Sequence, residues 1–282
     1  MNNCRNYKYQ VVSIELNPFE HETSSTLTLN KVEKEGEYFE IQLQDNVSLE
    51  MVSMPSGQFI MGTPETEQGR SKDETPQHSV SIEHFFVSKY PITQSQYLAI
   101  MKENPSFFQG EKKPVENISW YKAQNFCLKL SESTGKKFRL LSESEWEYVC
   151  RAGSSTPFSF GKTITPDLAN YKASFGYGQG SSGKWRQETT EVGSFYANSF
   201  GLYDLHGNVW EWCQDHWHEN YDKATTDGSP WLDENNEEDD LPRVIRGGSW
   251  DDTAYYCRSG VRLWTLPQFK GKLIGFRVAC EP

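Results

Sequence analysis

Long apolar runs are missing from this chain: nowhere in its 282 residues does a stretch approach the ~20 apolar residues that a membrane-spanning helix needs. Basic charge is short as well. Lys and Arg total 28 against 39 Asp and Glu, a formal net charge of −11, whereas a general binder of nucleic-acid backbone needs the opposite balance. No CxxC pair occurs among Cys4, Cys127, Cys150, Cys213, Cys257 and Cys280, which excludes a zinc knuckle and a dense disulfide framework. GxxxxGK[ST] and HExxH are absent too, and Gly176, Gly178, Gly180 and Gly183 follow no strand that could aim them at a phosphate. The opening residues lack the basic region and apolar stretch of a signal peptide, which makes the cytoplasm the expected location.

Aromatic residues are plentiful, with nine Trp and fourteen Tyr, and such residues build both cores and binding surfaces. Short β-prone runs fill the first sixty residues: Tyr9 to Glu15, Thr26 to Leu29, Glu37 to Leu43, Leu49 to Met54 and Gln58 to Met61. His78 to Phe86 alternates as a further strand. Three helices follow. Thr93 with Gln96 and Ser142 with Glu145 form capping boxes, while Ser119 starts and Gly135 stops a helix with Ala123, Phe126, Cys127 and Leu130 on one face. Beyond Gly153 regular periodicity fades, and loops of such length need an organiser. Arg243 to Arg246 and Ile274 to Cys280 regain β character, and the acid-rich Leu232 to Leu241 reads as a solvated loop. The sum is one continuous α+β domain with much of its mass in ordered loops.

Candidate chemistry concentrates in two places. Asp204-Leu-His-Gly-Asn-Val-Trp-Glu-Trp212 offers the carboxylates of Asp204 and Glu211 and the carbonyls of Gly207 and Val209 on one turn, the mixed oxygen set that Ca²⁺ takes, with ordinary turn capping by Asp204 and Asn208 as the alternative. Cys257 lies in Tyr255-Tyr-Cys-Arg258, where Arg258 and Arg262 could favour a thiolate, although a buried structural thiol is the plainer reading. His216 and His218 read as two solvent-facing imidazoles, and His206 as a residue that orders its loop.

Seven segments in order carry a resemblance: Leu49 to Gly62, Lys89 to Thr93, Pro114-Val115 with Ser119-Trp120, Arg139 to Tyr148, Gly201 to Trp212, Arg246-Gly-Gly-Ser-Trp250 and Gly275-Phe-Arg277. The series is similar to the motifs of the formylglycine-generating-enzyme, or sulfatase-modifying-factor, family. That resemblance implies a C-type-lectin-like fold with little regular secondary structure over residues 48–282, with residues 1–47 as a β-rich N-terminal extension. It also implies structural calcium at Asp204, Gly207, Val209 and Glu211, and a second calcium site starting near Asn170 and Tyr171. The family's oxidases convert a peptide cysteine to formylglycine with O₂ and copper held by two cysteines just after the Gly-Gly-Ser motif. Here that window holds Cys257 alone, and Asp251 and Asp252 are hard oxygen donors that do not replace a thiolate for Cu(I).

The end of the chain, Arg246 to Arg277, also resembles the variable region of proteins diversified by retroelements, in which this fold displays changeable residues on a rigid frame. On that resemblance Trp250, Arg258, Arg262, Gly275 and Arg277 are frame, and Asp251 to Tyr256, Gly260, Val261, Leu263 to Leu266 and Gln268 to Lys272 are displayed. The expected ligand-binding set is Asp251, Asp252, Thr253, Tyr255, Tyr256, Leu263, Trp264, Thr265, Leu266, Gln268, Phe269 and Lys270. The implied function is non-catalytic binding of a protein or peptide ligand, with calcium as structural ion and with neither nucleic acid nor membrane as partner. The alternative is a formylglycine-generating oxidase using copper through Cys257.

Overall fold

The β-prone opening of the chain folds as one long hairpin. The computed structural model describes residues 4–18, 25–233 and 240–282, and in it β1 (Arg5–Pro18) and β2 (Ser25–Gln44) pair antiparallel from Arg5↔Tyr38 to Pro18↔Ser25. The charged stretch between Asn30 and Glu37, expected to separate two strands, stays within β2 because its polar side chains are solvated where β2 pairs with β1 alone. Past Tyr38, β2 pairs instead with β3 (Val47–Met54), through a bulge near Gln42.

Three sheets result among the described residues. The largest runs in the order β1-β2-β3-β6-β12-β7, with β6 at Phe85–Ser88, β7 at Phe138–Leu140 and β12 at Val278–Cys280. A second joins β10 (Arg262–Thr265), β9 (Arg243–Arg246), β8 (Trp210–His216) and β11 (Ile274–Gly275), with β10 at its edge. β4 (Gly57–Met61) and β5 (His78–Ile82) form a separate pair.

Two expected strands are therefore corrected, since each divides between sheets. His78 to Phe86 breaks at Glu83-His84: β5 alternates buried and solvated residues, whereas β6 is covered on both faces. Ile274 to Cys280 breaks at Phe276-Arg277, leaving β11 parallel to β8 and β12 antiparallel between β6 and β7.

The helices follow their caps. α1 (Gln94–Met101) starts at Thr93 and α3 (Glu143–Arg151) at Ser142, both with complete capping boxes. α2 (Trp120–Thr134) runs from Ser119 to Gly135, whose φ of +70° suits a residue without Cβ. Its Ala123, Phe126, Cys127 and Leu130 are buried in the main core, roughly 2 kcal/mol for each large side chain. α3 is buried at every position. No helix among the described residues is long and apolar enough to cross a membrane.

The N-terminal hairpin is tied to the loop-rich half. Tyr7 and Tyr9 donate their hydroxyls to the carbonyls of Gly201 and Ser199, and Lys89 sits 4.3 Å from the Tyr7 ring while pairing with Glu50 at 3.2 Å. Val12 and Ile14 enter a cluster with Phe158, Phe160, Ala254 and Cys257, and the Ile14 N–H donates to the Phe160 carbonyl at 2.7 Å. Strand β1 thus underlies the 3₁₀ turn Ala254–Cys257. Replacing Val12 and Ile14 together by Ala leaves a cavity there, and each deletion costs on the order of 1–4 kcal/mol. Amide hydrogen exchange should accelerate at residues 158–161 and 254–257 while α2 keeps its protection; unchanged exchange at 254–257 would separate the hairpin from that turn.

Candidate functional site

Four arginines of the C-terminal segment are almost wholly buried, and each meets carboxylates drawn from far away in the chain. Arg246 on β9 pairs with Glu147 and, at 3.3 Å, with Glu143, both on α3. Arg262 on β10 takes Glu143 at 2.7 Å and donates to the carbonyls of Asp73 and His218. Arg258 is forked over Glu74 at 2.7 and 2.9 Å, with Glu67 at 2.5 Å and the Gly69 carbonyl at 2.8 Å. Arg277, at the crossing between β11 and β12, holds Glu211 at 2.6 and 2.8 Å. Burial alone would raise Glu147's carboxyl, but Arg151 and Arg246 outweigh it and hold the group below its ordinary value.

On this frame the segment from 251 to 272 divides by exposure. Tyr256 (46%), Trp264 (49%), Leu266 (43%) and Phe269 (50%) are exposed apolar side chains, joined by exposed Gln268 and Lys270. Asp251, Thr253, Leu263 and Thr265 are half-buried. Tyr255 is held at 4.9 Å against the Tyr177 ring, its hydroxyl accepting from Gln68 at 2.8 Å. Asp252 turns inward to accept from the Trp210 indole at 2.8 Å and from Ser249. Gly260 and Val261 are buried. Beside Tyr255, Tyr256 and Leu263 lies a cleft of about 500 Å³ whose far wall is the Gly69–Glu74 loop.

Neighbours of this surface lie outside the segment that sequence reasoning singled out. Phe107 is exposed and Phe108 half-buried, on a loop pinned by the buried Glu116, which accepts both their N–H groups. Lys272 lies 5.0 Å from the Trp250 ring and 5.8 Å from Phe107. The signal available was Phe107-Phe108 between Pro105 and Gly110, two adjacent aromatics where a turn would otherwise be polar.

Cys257 is fully buried, and burial, with Asp252 nearby, pushes its thiol well above the ordinary value. The expectation that Arg258 and Arg262 favour a thiolate is corrected, because both guanidiniums are turned to Glu67, Glu74 and Glu143. The other thiol that acts on Cys257, Cys150, is buried and pushed up as well, and Asp252 is engaged by Trp210 and Ser249, so these residues do not present the two thiolates that Cu(I) takes. His216 and His218 differ from expectation, whereas His206 orders its loop as expected. His216, at the end of β8, is buried and accepts the Asp233 N–H at 2.9 Å, while His218 stacks on Trp231 at 3.6 Å. His206 is buried between the Cys257 carbonyl at 2.8 Å and the Ser159 N–H at 3.0 Å, and burial lowers its pKa to about 4. Of the acidic run, residues 234–239 lie outside the described residues.

The Asp204 turn meets part of a calcium ion's demands. Asp204 accepts the Gly193 N–H at 2.7 Å through Oδ2, but its Oδ1 is buried with no hydrogen-bond partner, and burial pushes the carboxyl up to about 6. A carboxylate so placed suits a cation. Gly207's carbonyl receives the Val209 N–H at 3.0 Å. Glu211's two oxygens are already held by Arg277 and by the Trp146 indole, so its share in an ion would be a second role. Asn170 likewise has a buried, unpartnered Oδ1. Among the described residues no cluster of three or more His, Cys, Asp or Glu is arranged to hold a metal; carbonyl donors fall outside that description.

Residues 40–282 match the model of the sulfatase-modifying factor enzyme 1-like domain. Among curated relatives, the chaperone protein LppX of Paenibacillus barcinonensis is 29% identical over 64% of this chain and 74% of its own length. The formylglycine-generating enzyme of Thermomonospora curvata is 25% identical over 82% of this chain and 93% of its own. The chain spans 38% of the serine/threonine-protein kinase pkn1 of Chlamydia pneumoniae, at 28% identity over 82% of this chain. Two solved structures are similar in fold and sequence. PvdO from Pseudomonas aeruginosa superimposes with a TM-score of 0.75 at 36% identity, covering 86% of this chain and 98% of PvdO. Treponema denticola variable protein 1 does so with a TM-score of 0.72 at 25% identity, covering 87% and 99%.

The frame has a measurable consequence. Glu147→Gln removes the carboxylate paired with Arg151 and leaves Arg246 only its 3.3 Å contact with Glu143, and breaking a buried pair costs on the order of 3–5 kcal/mol. Denaturant unfolding should show a loss of that size; a loss below about 1 kcal/mol, the scale of an exposed pair, would mean that this network does not hold the frame.

Proposed function

We propose that this chain, which belongs to the sulfatase-modifying factor enzyme 1-like family, is a non-catalytic binding protein that displays a recognition surface at its C-terminal end. The observation that carries this reading is the exposure of Tyr256, Trp264, Leu266 and Phe269 on a segment whose four buried arginines are ion-paired to the rest of the fold. Half-exposed aromatic and aliphatic side chains on a rigid backbone lose little entropy when a partner covers them. The likeness to the Treponema variable protein supports a displayed, diversified surface, and the ligand class is a protein or peptide. The oxidase reading gains nothing from Cys257, a buried thiol raised by burial and beside a carboxylate already in use.

The test is Tyr256, Trp264 and Phe269 replaced together by Ala. A random peptide display library should enrich binders on the wild-type chain and not on this variant, while the melting temperature stays within about 2 °C, as substitutions outside the core should allow. A larger fall would assign these side chains to packing, and equal enrichment by both proteins would remove the surface from the reading.

Calcium belongs to the same proposal, as the ion that orders the Asp204 turn through Asp204 Oδ1 and neighbouring carbonyls. Calcium added to chelator-treated protein should raise the melting temperature by several degrees at saturating concentration, the expected effect of a ligand bound to the folded state alone. Asp204→Asn should abolish that rise. A calcium response that survives the substitution places the ion elsewhere.

A further inference from the structure

The cleft beside the 3₁₀ turn contains a charge without a counterpart. Its walls include Ser71, Asp73, Tyr255, Tyr256, Val261 and Leu263. The other charged groups that line it are spent: Glu74 on Arg258, and Arg262 on Glu143. Among the described lining residues, Asp73 alone is a charged side chain with no ion pair; its Oδ1 is shut off from water without a hydrogen-bond partner, which leaves Oδ2 as the oxygen that a guest in the cleft can meet. Its main-chain carbonyl is fixed by Arg262 at 3.0 Å, so the residue is held at the cleft wall by the same network that holds the frame. Across from it, Tyr256 exposes nearly half of its surface and Tyr255 is locked against Tyr177.

From this pairing of one uncompensated carboxylate with aromatic walls we infer that the cleft is a binding site for an organic cation, an alkylammonium or guanidinium group. A cation there gains the carboxylate's attraction in a partly desolvated setting and the face of a tyrosine ring. Val261 and Leu263 receive the apolar stem that carries such a group, as long cationic side chains need. The cation comes either from a free amine or from a lysine or arginine of a protein ligand. The inference rests on Tyr256 and Leu263 being displayed residues and names the chemistry that they serve.

The experiment titrates the full chain with phenethylamine, N-acetyl-lysine methylamide and N-acetyl-arginine methylamide, each against a neutral compound of similar shape: phenethyl alcohol, N-acetyl-norleucine methylamide and N-acetyl-citrulline methylamide. Amide NMR shifts at residues 69–74 and 253–263 are followed to saturation. Each cation that fits should bind at least roughly tenfold more tightly than its neutral counterpart, and Asp73→Asn should bring that ratio to within about twofold, since a charge-assisted hydrogen bond in a partly desolvated site is worth about that factor. Tyr256→Ala should weaken the cations several-fold. Binding by phenethylamine marks a free amine as sufficient, and binding by the two blocked amino acids alone marks a protein side chain. Equal binding of neutral and charged probes, a ratio unmoved by Asp73→Asn, or no saturable shifts in these segments overturns the proposal. Because peptide enrichment through Tyr256, Trp264 and Phe269 is read separately, a chain that enriches peptides yet ignores Asp73→Asn keeps its recognition surface and loses this cation site.

Discussion

Burial of Glu143 and Glu147 on α3 against Arg246 and Arg262 is the constraint from which the loop-rich half takes its shape. A helix buried at all nine positions while carrying three glutamates and an arginine is unfavourable unless each charge meets a fixed partner. The partners of Glu143 and Glu147 come from strands 99 to 119 residues away, so satisfying the helix also fixes the second sheet against it. Such pairs add little net stability over apolar packing of equal volume, but leaving one open is costly, and that asymmetry selects a single arrangement of chain segments that have few backbone ladders of their own.

The same arrangement explains how one stretch can be both frame and surface. Arg258 and Arg262 point inward on either side of the buried Ser259-Gly-Val261 turn, and Tyr256 and Trp264 lie just outside them. The inward residues carry the ion pairs, so the outward ones are released from any packing duty. Substitution at 256, 264, 266 or 269 then changes what the surface exposes while the ion pairs beneath keep their geometry.

What the sequence disclosed was the local part. Thr93, Ser119 and Ser142 announce their helices because a cap is made with residues two or three positions away. The ordered motifs from Leu49 to Arg277 disclosed the family and, with it, the frame arginines. The breaks at Glu83-His84 and Phe276-Arg277 were not legible, because continuous β-prone residues look alike whether they stay in one sheet or cross to another. Glu67 and Glu74 read as ordinary loop acids until Arg258, 184 and 191 residues on, is placed over them. Asp252 looked like a displayed residue next to Asp251, and its bond to the Trp210 indole spans 42 residues.

Cys257 shows how far the scaffold is separable from the chemistry it hosts in relatives. A thiol can act on copper or a substrate only if it is exposed, deprotonated and matched with a second soft ligand. Here the turn that carries it is backed by Val12, Ile14, Phe158 and Phe160, its Sγ would meet any Cβ added at Gly248, and the nearby carboxylate of Asp252 is bonded to Trp210 and Ser249. Each of these contacts stabilises the neutral, inward thiol, and each also stiffens the turn that presents Tyr255 and Tyr256. In this setting Cys257 is a small buried hydrophobe beneath Tyr255 and Tyr256, and the packing that keeps its thiol inward also holds that turn in place.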